Sequence, residues 1–265
     1  MALERLLGCP MLIDTHAHLT FPEYKIDLAE VIERAKAAKV EAIINIALDE
    51  EAIKNSFAMA EDHPDYIFNA IGLHPHDASE WKDDHYEKLK SYAKKGRVVA
   101  IGETGLDYHY QLSPALQQKE VFRKLLRLAQ ELDVPAVIHS REASDDTISI
   151  IRQENSGKLK GVLHCFSGDM ELAKGALEQG LLISFTANIT FPKADKIRLA
   201  AKEIPLEKMM IETDCPFLAP QAFRGKRNEP SYVGYVAEKI AEAKGLSVEE
   251  VASITTKNAR RFFNI

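Results

Sequence analysis

Short apolar runs alternate with amphipathic stretches along the chain from residue 11 onwards. The apolar runs are rich in valine and isoleucine, which is typical of strands buried on both faces of a parallel sheet. The stretches between them space apolar residues three and four positions apart, as a helix with one buried face does. We expect strands at Met11–Thr15, Val40–Ile46, Tyr66–Leu73, Val98–Ile101, Val134–Ile138, Leu159–Leu163, Leu181–Phe185 and Lys208–Thr213.

Helical patterns fill the intervals between these strands and follow the last one. Three helix starts carry capping signals: Asp27 with Glu30, Ser113 followed by Pro114, and Ser247 with Glu250. The other helices are expected near 50–61, 81–94, 142–154, 169–179, 193–203 and 230–244. Eight strands alternating with helices in 265 residues favour a single-domain (β/α)8 TIM barrel. A doubly wound open sheet is the alternative. We assign residues 11–265 to the barrel and residues 1–10 to an N-terminal extension.

Composition narrows the functional classes. The net charge of −6, with 46% hydrophobic and 28% charged residues, argues against the broad basic surface of a non-specific nucleic-acid coat. It still allows a nuclease whose positive charge comes from bound metal. No apolar run approaches the ~18 residues of a membrane helix, and the segment before Cys9 is too short for a signal peptide. The three cysteines lack CxxC spacing, so we expect a cytoplasmic protein without disulfides or zinc thiolates.

Imidazoles and carboxylates stand at the ends of five predicted strands. They are His16, His18, Glu103, His139, His164 and Asp214. In a barrel these strand ends meet at one mouth, where catalytic side chains gather. His16 and His18 are two residues apart, so extended backbone points both to the same side. Glu103 follows an apolar strand and lies in a glycine-bracketed segment, Gly102–Gly105, that predicts a turn.

Four imidazoles and two carboxylates are more ligands than one catalytic zinc takes. The set suits two divalent ions that share a bridging carboxylate at the C-terminal mouth. Imidazole and carboxylate donors are compatible with Mg, Mn or Zn, so the identity of the metal stays open. The sequence does not indicate the oligomeric state of the chain.

Five motifs together resemble the TatD family of metal-dependent deoxyribonucleases, which use an amidohydrolase-type barrel. The motifs are His16-x-His18, the run GETGLDY from Gly102 to Tyr108, His139-Ser140-Arg141, the run HCFSG from His164 to Gly168, and Glu212-Thr213-Asp214. The resemblance extends from about Leu12 to the C-terminus. It implies one metal held by His16, His18, Glu103 and Asp214, and a second held by Glu103, His139 and His164. It further implies that His74 faces the substrate phosphate, and that the enzyme acts as an exonuclease on single strands.

Four further residues are candidates for supporting roles. Glu212 shares a strand face with the last carboxylate of the set and is expected to orient a ligand histidine. Arg141 either contacts substrate or balances the carboxylates. Arg224 and Lys226 lie in the loop after the last strand, where barrels often bind phosphate. We predict that they hold the DNA backbone in a loop without helix or strand; the alternative is a solvated basic loop.

The expected reaction is hydrolysis of phosphodiester bonds in DNA by a metal-activated water, with Glu103 bridging the metals and Asp214 serving as both ligand and general base. The first alternative is a small-molecule amidohydrolase that cleaves an amide, lactone or phosphotriester. Many such enzymes bridge their metals with a carbamylated lysine on the fourth strand, where this chain has Glu103. A second alternative, a structural metal protein, fits less well because structural sites are fully coordinated by protein.

Overall fold

The computed structural model describes residues 11–95 and 97–265, so the predicted extension, residues 1–10, lies outside the described residues. One parallel sheet runs in chain order, each strand paired with the next. Its strands are β1 (Leu12–Ala17), β2 (Val40–Ala47), β3 (Ile67–Ile71), β4 (Val98–Asp107), β5 (Ala136–Arg141), β6 (Gly161–Leu163), β7 (Leu182–Phe185) and β8 (Met209–Ile211). The α-helices in the described ranges are α1 (Leu28–Ala37), α2 (Glu50–Asp62), α3 (His85–Ala93), α4 (Ala115–Leu132), α5 (Ser144–Glu154), α6 (Met170–Glu178), α7 (Asp195–Glu203), α8 (Gly234–Lys244) and α9 (Val248–Phe263).

Hydrogen bonds between β1 and the segment after β8 close the sheet. The amide of Asp214 donates to the carbonyl of His16 at 2.9 Å, and the amide of His18 donates to the carbonyl of Cys215 at 2.8 Å. The sequential strand order has no switch point, which confirms the (β/α)8 barrel and excludes the doubly wound sheet. No helix in the described part of the chain is both long and apolar enough to cross a membrane.

Apolar side chains fill the barrel interior towards the N-terminal ends of the strands. Ile44, Val137 and Met210 belong to this inner cluster, and Phe263 from α9 packs on it. A second, larger cluster fills the space between the sheet and the outer helices. With one end of the interior occupied by apolar groups, buried polar side chains gather at the opposite, C-terminal end.

The last helix, α9, joins the first and last strands. Its Thr256 hydroxyl donates to the carbonyl of Met11 at 2.8 Å, just before β1. The Asn258 side-chain amide donates to the carbonyls of Leu206 at 2.9 Å and Met209 at 2.8 Å, at the start of β8. The helix begins as predicted, since the Ser247 hydroxyl accepts the amide of Glu250 at 3.1 Å.

Two predicted helix caps are wrong because distant partners take the capping groups. Ser113 lies outside α4 and donates instead to the carbonyl of His76 at 2.6 Å, on the 3₁₀ turn Pro75–Glu80. Asp27 precedes α1 but makes no capping bond. Arg227 holds both of its carboxylate oxygens, at 2.7 and 2.6 Å. Two charge-assisted bonds from a guanidinium are stronger than a bond from a backbone amide.

The segment Gly102–Gly105 is not a turn; β4 continues through it as far as Asp107. Gly102 and Gly105 have φ values of +149° and +144°, which residues other than glycine rarely adopt. A Cβ atom at Gly105 would lie 2.0 Å from the carbonyl oxygen of His139, and one at Gly102 would lie 2.6 Å from that of Val137. The glycines therefore allow β4 to run unusually close to β5, and the strand carries Glu103 into the mouth.

Candidate active site

The six predicted metal ligands converge at the C-terminal mouth of the barrel, and His74 joins them. Glu103 comes from β4, His16 from β1 and His139 from β5, while the others follow strand ends. Strands β1 and β5 extend past their predicted ends at Thr15 and Ile138, so His16 and His139 lie inside strands rather than after them. Strand pairing therefore holds the backbone that carries these two imidazoles.

Glu103 lies between two groups of histidines and directs one oxygen to each. Its Oε2 lies 3.4 Å from Nε2 of His16 and 3.8 Å from Nε2 of His18. Its Oε1 lies 2.7 Å from Nε2 of His164 and 2.9 Å from Nδ1 of His139. The side chain is only 3% exposed. One buried carboxylate thus faces two adjoining sets of nitrogen donors, whose His16 and His164 rings stack with centroids 4.1 Å apart.

Asp214 completes the first group. Its Oδ1 lies 3.5 Å from Nε2 of His18 and 3.6 Å from Nε2 of His16, and these two nitrogens are 3.1 Å apart. Asp214 is 14% exposed, against 3% for Glu103, so it is the carboxylate that reaches open space at the mouth. Three donors, two from the end of β1 and one from the segment after β8, surround one small volume.

The electrostatics of the site fit a divalent cation. Burial alone would raise the pKa of Glu103, but the facing histidines outweigh it and hold that pKa well below its usual range. Burial would also raise the pKa of Asp214, but the hydrogen bond from His18 and the charges of the nearby histidines together outweigh it, and the net pKa is lowered. Two ionised carboxylates among imidazole nitrogens form a donor set that binds Mn or Zn, and Mg through its oxygens.

His74 is fixed with one nitrogen facing the centre. Its Nδ1 accepts the amide of His76 at 3.1 Å, which leaves Nε2 at 3.3 Å from Oε1 of Glu103. Burial lowers the pKa of His74 despite the nearby carboxylate. The side chain therefore lies beside the second group, between Glu103 and the solvent side of the mouth.

Asp107 is a site residue for which the sequence analysis gave no role. Its Oδ2 lies 3.1 Å from Nε2 of His139 and 3.1 Å from Nε2 of His76. Its other oxygen accepts the amides of His109 and Tyr110. A carboxylate on the far nitrogen of a ligand histidine orients the ring, and here it leaves Nδ1 of His139 facing Glu103. The sequence did contain a sign of this role, because residues 103 and 107 share one face of an extended strand.

Asp14 is a second residue that the sequence analysis missed. Its carboxylate accepts the Thr213 amide at 2.9 Å, the Thr213 hydroxyl at 2.6 Å and the His16 amide at 3.3 Å. These bonds join β1 to the segment that carries Asp214. A short acidic residue in an apolar strand gave no local sign of this role.

Glu212 lies behind His164. Its Oε1 accepts the amide of Cys165 at 2.6 Å and lies 3.4 Å from Nδ1 of His164. Burial raises the pKa of both Cys165 and Cys215, which follow His164 and Asp214 in sequence. Such thiols are protonated and unreactive at neutral pH.

Three predicted substrate-binding cations have no carboxylate partner in the part of the chain that the structure describes. The guanidinium of Arg141 lies over the ring of Tyr110, 4.8 Å from its centroid. Arg224 lies over the ring of Phe191 at 4.7 Å, and Lys226 is exposed. Within the described ranges, Arg141 therefore does not balance a carboxylate through an ion pair.

The loop that carries Arg224 and Lys226 is attached to the C-terminal side of the barrel. The amide of Gln221 donates to the hydroxyl of Thr190 after β7, and the side-chain amide of Asn228 donates to the carbonyl of Thr213 after β8, both at 2.9 Å. The prediction of no helix in this loop is wrong at 221–223, which form a 3₁₀ turn. The amide of residue 223 donates to the carbonyl of residue 220 at 2.7 Å and closes that turn.

The fold and the site define a class of protein. A closed (β/α)8 barrel that gathers histidines and carboxylates at its C-terminal mouth, with one carboxylate open to solvent, is typical of metal-dependent hydrolases.

Comparison with known proteins identifies the family within this class. The family model described as TatD related DNase matches residues 13–264. The uncharacterized metal-dependent hydrolase YabD of Bacillus subtilis is 49% identical over 255 residues, which cover 96% of this chain and 100% of YabD. The 3′-5′ ssDNA/RNA exonuclease TatD of Erwinia tasmaniensis is 34% identical over 96% of this chain and 100% of its own length. The crystal structure of YjjV, a TatD homolog from Escherichia coli K12, has a TM-score of 0.89 and 30% identity over 96% of this chain and 98% of its own. The chain therefore belongs to the TatD family of metal-dependent hydrolases, which confirms the resemblance seen in the sequence.

Proposed function

We propose that this chain is an exodeoxyribonuclease that hydrolyses phosphodiester bonds in single-stranded DNA or frayed ends with two divalent ions. The observation that carries the proposal is the position of Glu103, with one oxygen towards each group of histidines. This is the arrangement that a bridging carboxylate between two metals requires. The relative from Erwinia tasmaniensis, named as an exonuclease on single-stranded DNA and RNA, supports the choice of substrate.

Each ion would have its own set of ligands. His16, His18, Asp214 and one oxygen of Glu103 would hold the first; His139, His164 and the other oxygen of Glu103 would hold the second. Mg, Mn and Zn are all compatible with these donors. When bound, two such ions lower the pKa of a water molecule and stabilise the charge that develops on a phosphate.

Asp214 is our candidate for the general base as well as a ligand. Its lowered pKa keeps the carboxylate ionised at neutral pH, so it can accept a proton. It is also the more exposed of the two carboxylates, so water and substrate can reach it. Glu103 is buried and charged, and its proposed role is to hold both ions in place.

Four side chains are proposed to hold the substrate backbone. His74 directs Nε2 into the site from the side of β3 and β4. Arg141, Arg224 and Lys226 supply positive charge that no carboxylate of the described residues neutralises. In a chain with a net charge of −6, such local charge at the mouth would attract a phosphate backbone.

The proposal includes a cytoplasmic location. The cysteines that the structure describes are both free thiols. Structural disulfides are common in oxidising compartments and rare in the cytoplasm. Free thiols therefore agree with this location.

The test is metal-dependent release of mononucleotides. Protein stripped with EDTA and reloaded with Mg, Mn or Zn is incubated with an end-labelled single strand of DNA and with RNA of the same sequence. The expected result is stepwise shortening that is absent without metal and strongly reduced in Asp214→Asn. In parallel, amide, lactone and phosphotriester substrates test the small-molecule alternative. Turnover of one of these without nucleotide release would replace the proposal with that alternative.

A further inference from the structure

Two phenylalanines form an aromatic face beside the first ligand group. The ring centroids of Phe21 and Phe217 are 5.7 Å apart, with the planes at 86°. The Phe21 ring lies 4.8 Å from the imidazole of His18, and the Phe217 ring lies 6.1 Å from it. We call these two residues the aromatic wall. It stands directly beside a proposed metal ligand, on the side of β1 and β8.

The aromatic wall is exposed although phenylalanine is usually buried. Phe217 is 49% exposed, and Phe21 is half-buried. An exposed ring contributes less to folding than a buried one, because hydrophobic stabilisation follows the apolar area removed from water. Packing within the chain therefore does not account for a large apolar side chain at this position.

The backbone beneath the wall is fixed, so its exposure does not come from a loose loop. The buried side-chain amide of Asn228 donates to the carbonyls of Phe217 at 2.6 Å and Thr213 at 2.9 Å. The carbonyl of Asn228 accepts the hydroxyl of Tyr24 at 2.5 Å, on the 3₁₀ turn that follows Phe21. One buried residue thus holds both halves of the wall in register with the segment that carries Asp214.

We infer that the aromatic wall stacks a nucleobase of the nucleotide whose phosphate lies at the metal ligands. The inference rests on the proposed function and specifies which part of the strand the mouth recognises. Every nucleobase presents a flat π-face, so stacking on aromatic rings binds single strands with little sequence preference. The wall adjoins His18, and Phe217 is three residues after Asp214, so a base on the wall is within one nucleotide of a phosphate at those side chains.

The test removes the ring and the base separately and then together. KM is measured for an oligonucleotide and for the same strand with one abasic (tetrahydrofuran) residue next to the cleaved bond, placed in turn on each side. We expect the missing base to raise KM of the unaltered protein by roughly tenfold or more at one of these positions. Phe217→Leu should raise KM for the normal strand by a similar factor and leave KM for that abasic strand nearly unchanged. Phe217→Trp should restore the preference for the base.

A control variant and a second measurement distinguish an effect of the aromatic wall from a general effect on the protein. Leu199→Ala removes another exposed apolar side chain, 52% exposed on α7, and should change neither KM. Equal metal content in all variants, by elemental analysis, shows that the ligand groups remain intact. In the second readout, a hydrolysis-resistant phosphorothioate strand carries 2-aminopurine at the same position. Its fluorescence should be quenched on binding to the unaltered protein and less so with Phe217→Leu.

The outcomes distinguish this inference from the proposed function. If Phe217→Leu weakens normal and abasic strands equally, the wall does not stack a base, even though the chain cleaves DNA. If the protein cleaves no strand but quenches 2-aminopurine through Phe217, the wall binds a base and the proposed function is wrong. If there is neither cleavage nor quenching, both are wrong.

Discussion

Replacement of Glu103 is expected to lower the bound metal by more than one equivalent per chain. With one oxygen towards each group, Glu103→Ala removes a ligand from both. The first group keeps three proposed ligands, which is the usual number for a catalytic zinc. The second keeps only His139 and His164, below that number. The expected loss therefore lies between one and two equivalents of metal. His164→Ala leaves the first group complete, so its loss should not exceed one equivalent.

The measurement is elemental analysis after loading with zinc or manganese and dialysis against metal-free buffer. Circular dichroism of each variant checks that the barrel has formed, so that a loss of metal reflects missing ligands rather than unfolding. Zinc titrations then give the affinity of each remaining site. Identical losses of one equivalent in Glu103→Ala and His164→Ala would refute the bridging assignment.

Three further predictions concern the close approach of β4 to β5, the pH dependence of zinc binding, and the loop that carries Arg224 and Lys226. Gly105→Ala should destabilise the protein by about 2 kcal/mol or more, since its Cβ would meet a β5 carbonyl oxygen at 2.0 Å. Gly180→Ala, also at positive φ but with nothing within 4 Å, should cost less. Burial lowers the pKa of His164, but the facing carboxylates outweigh it and the net pKa is raised well above its usual value. Zinc must displace that proton, so affinity should rise with pH until the imidazole is neutral. The double change Arg224→Ala and Lys226→Ala should raise KM for oligonucleotides and flatten its log–log salt dependence by about 0.7 per lost phosphate contact.

Chemical denaturation, zinc titration across pH, and KM at several salt concentrations check these in turn. Equal destabilisation by the two glycine changes would show that backbone strain alone, and not the approach of β4 to β5, sets the cost. A zinc affinity that does not change between pH 6 and 9 would contradict the raised pKa of His164. An unchanged KM and salt slope in the double variant would mean that the loop does not touch the nucleic acid.

The barrel and the convergence of the six candidate ligands at its mouth could be predicted because their signals are local. Apolar runs of strand length define the strands, and the histidine or carboxylate that follows five of them marks the end that faces the mouth. Spacing of two residues predicted that His16 and His18 point together, and their Nε2 atoms are 3.1 Å apart.

The errors occurred where a residue's role depends on a distant part of the chain. The glycines of β4 looked like a turn because the β5 carbonyls that exclude a side chain there, those of Val137 and His139, come about 35 residues later. Asp27 looked like a helix cap, but its partner Arg227 is 200 residues away in sequence. Asp14 gave no local signal, because its bonds to Thr213 span 199 residues. Such roles follow from tertiary contacts, which a pattern of neighbouring residues does not contain.

The hydrogen bonds that join α9 to the first and last strands have a consequence for how the chain folds during synthesis. A ribosome releases β1 first, yet β1 finds its second neighbour only when β8 and then α9 have emerged. Until then its free edge can pair with other chains, and nascent sheets with such edges are prone to aggregate. Thr256 and Asn258 fasten the two ends of the sheet from a single helix. Closure of the barrel therefore has to wait until β8 and α9 have been synthesised, and the edge of β1 that pairs with β8 stays free until then.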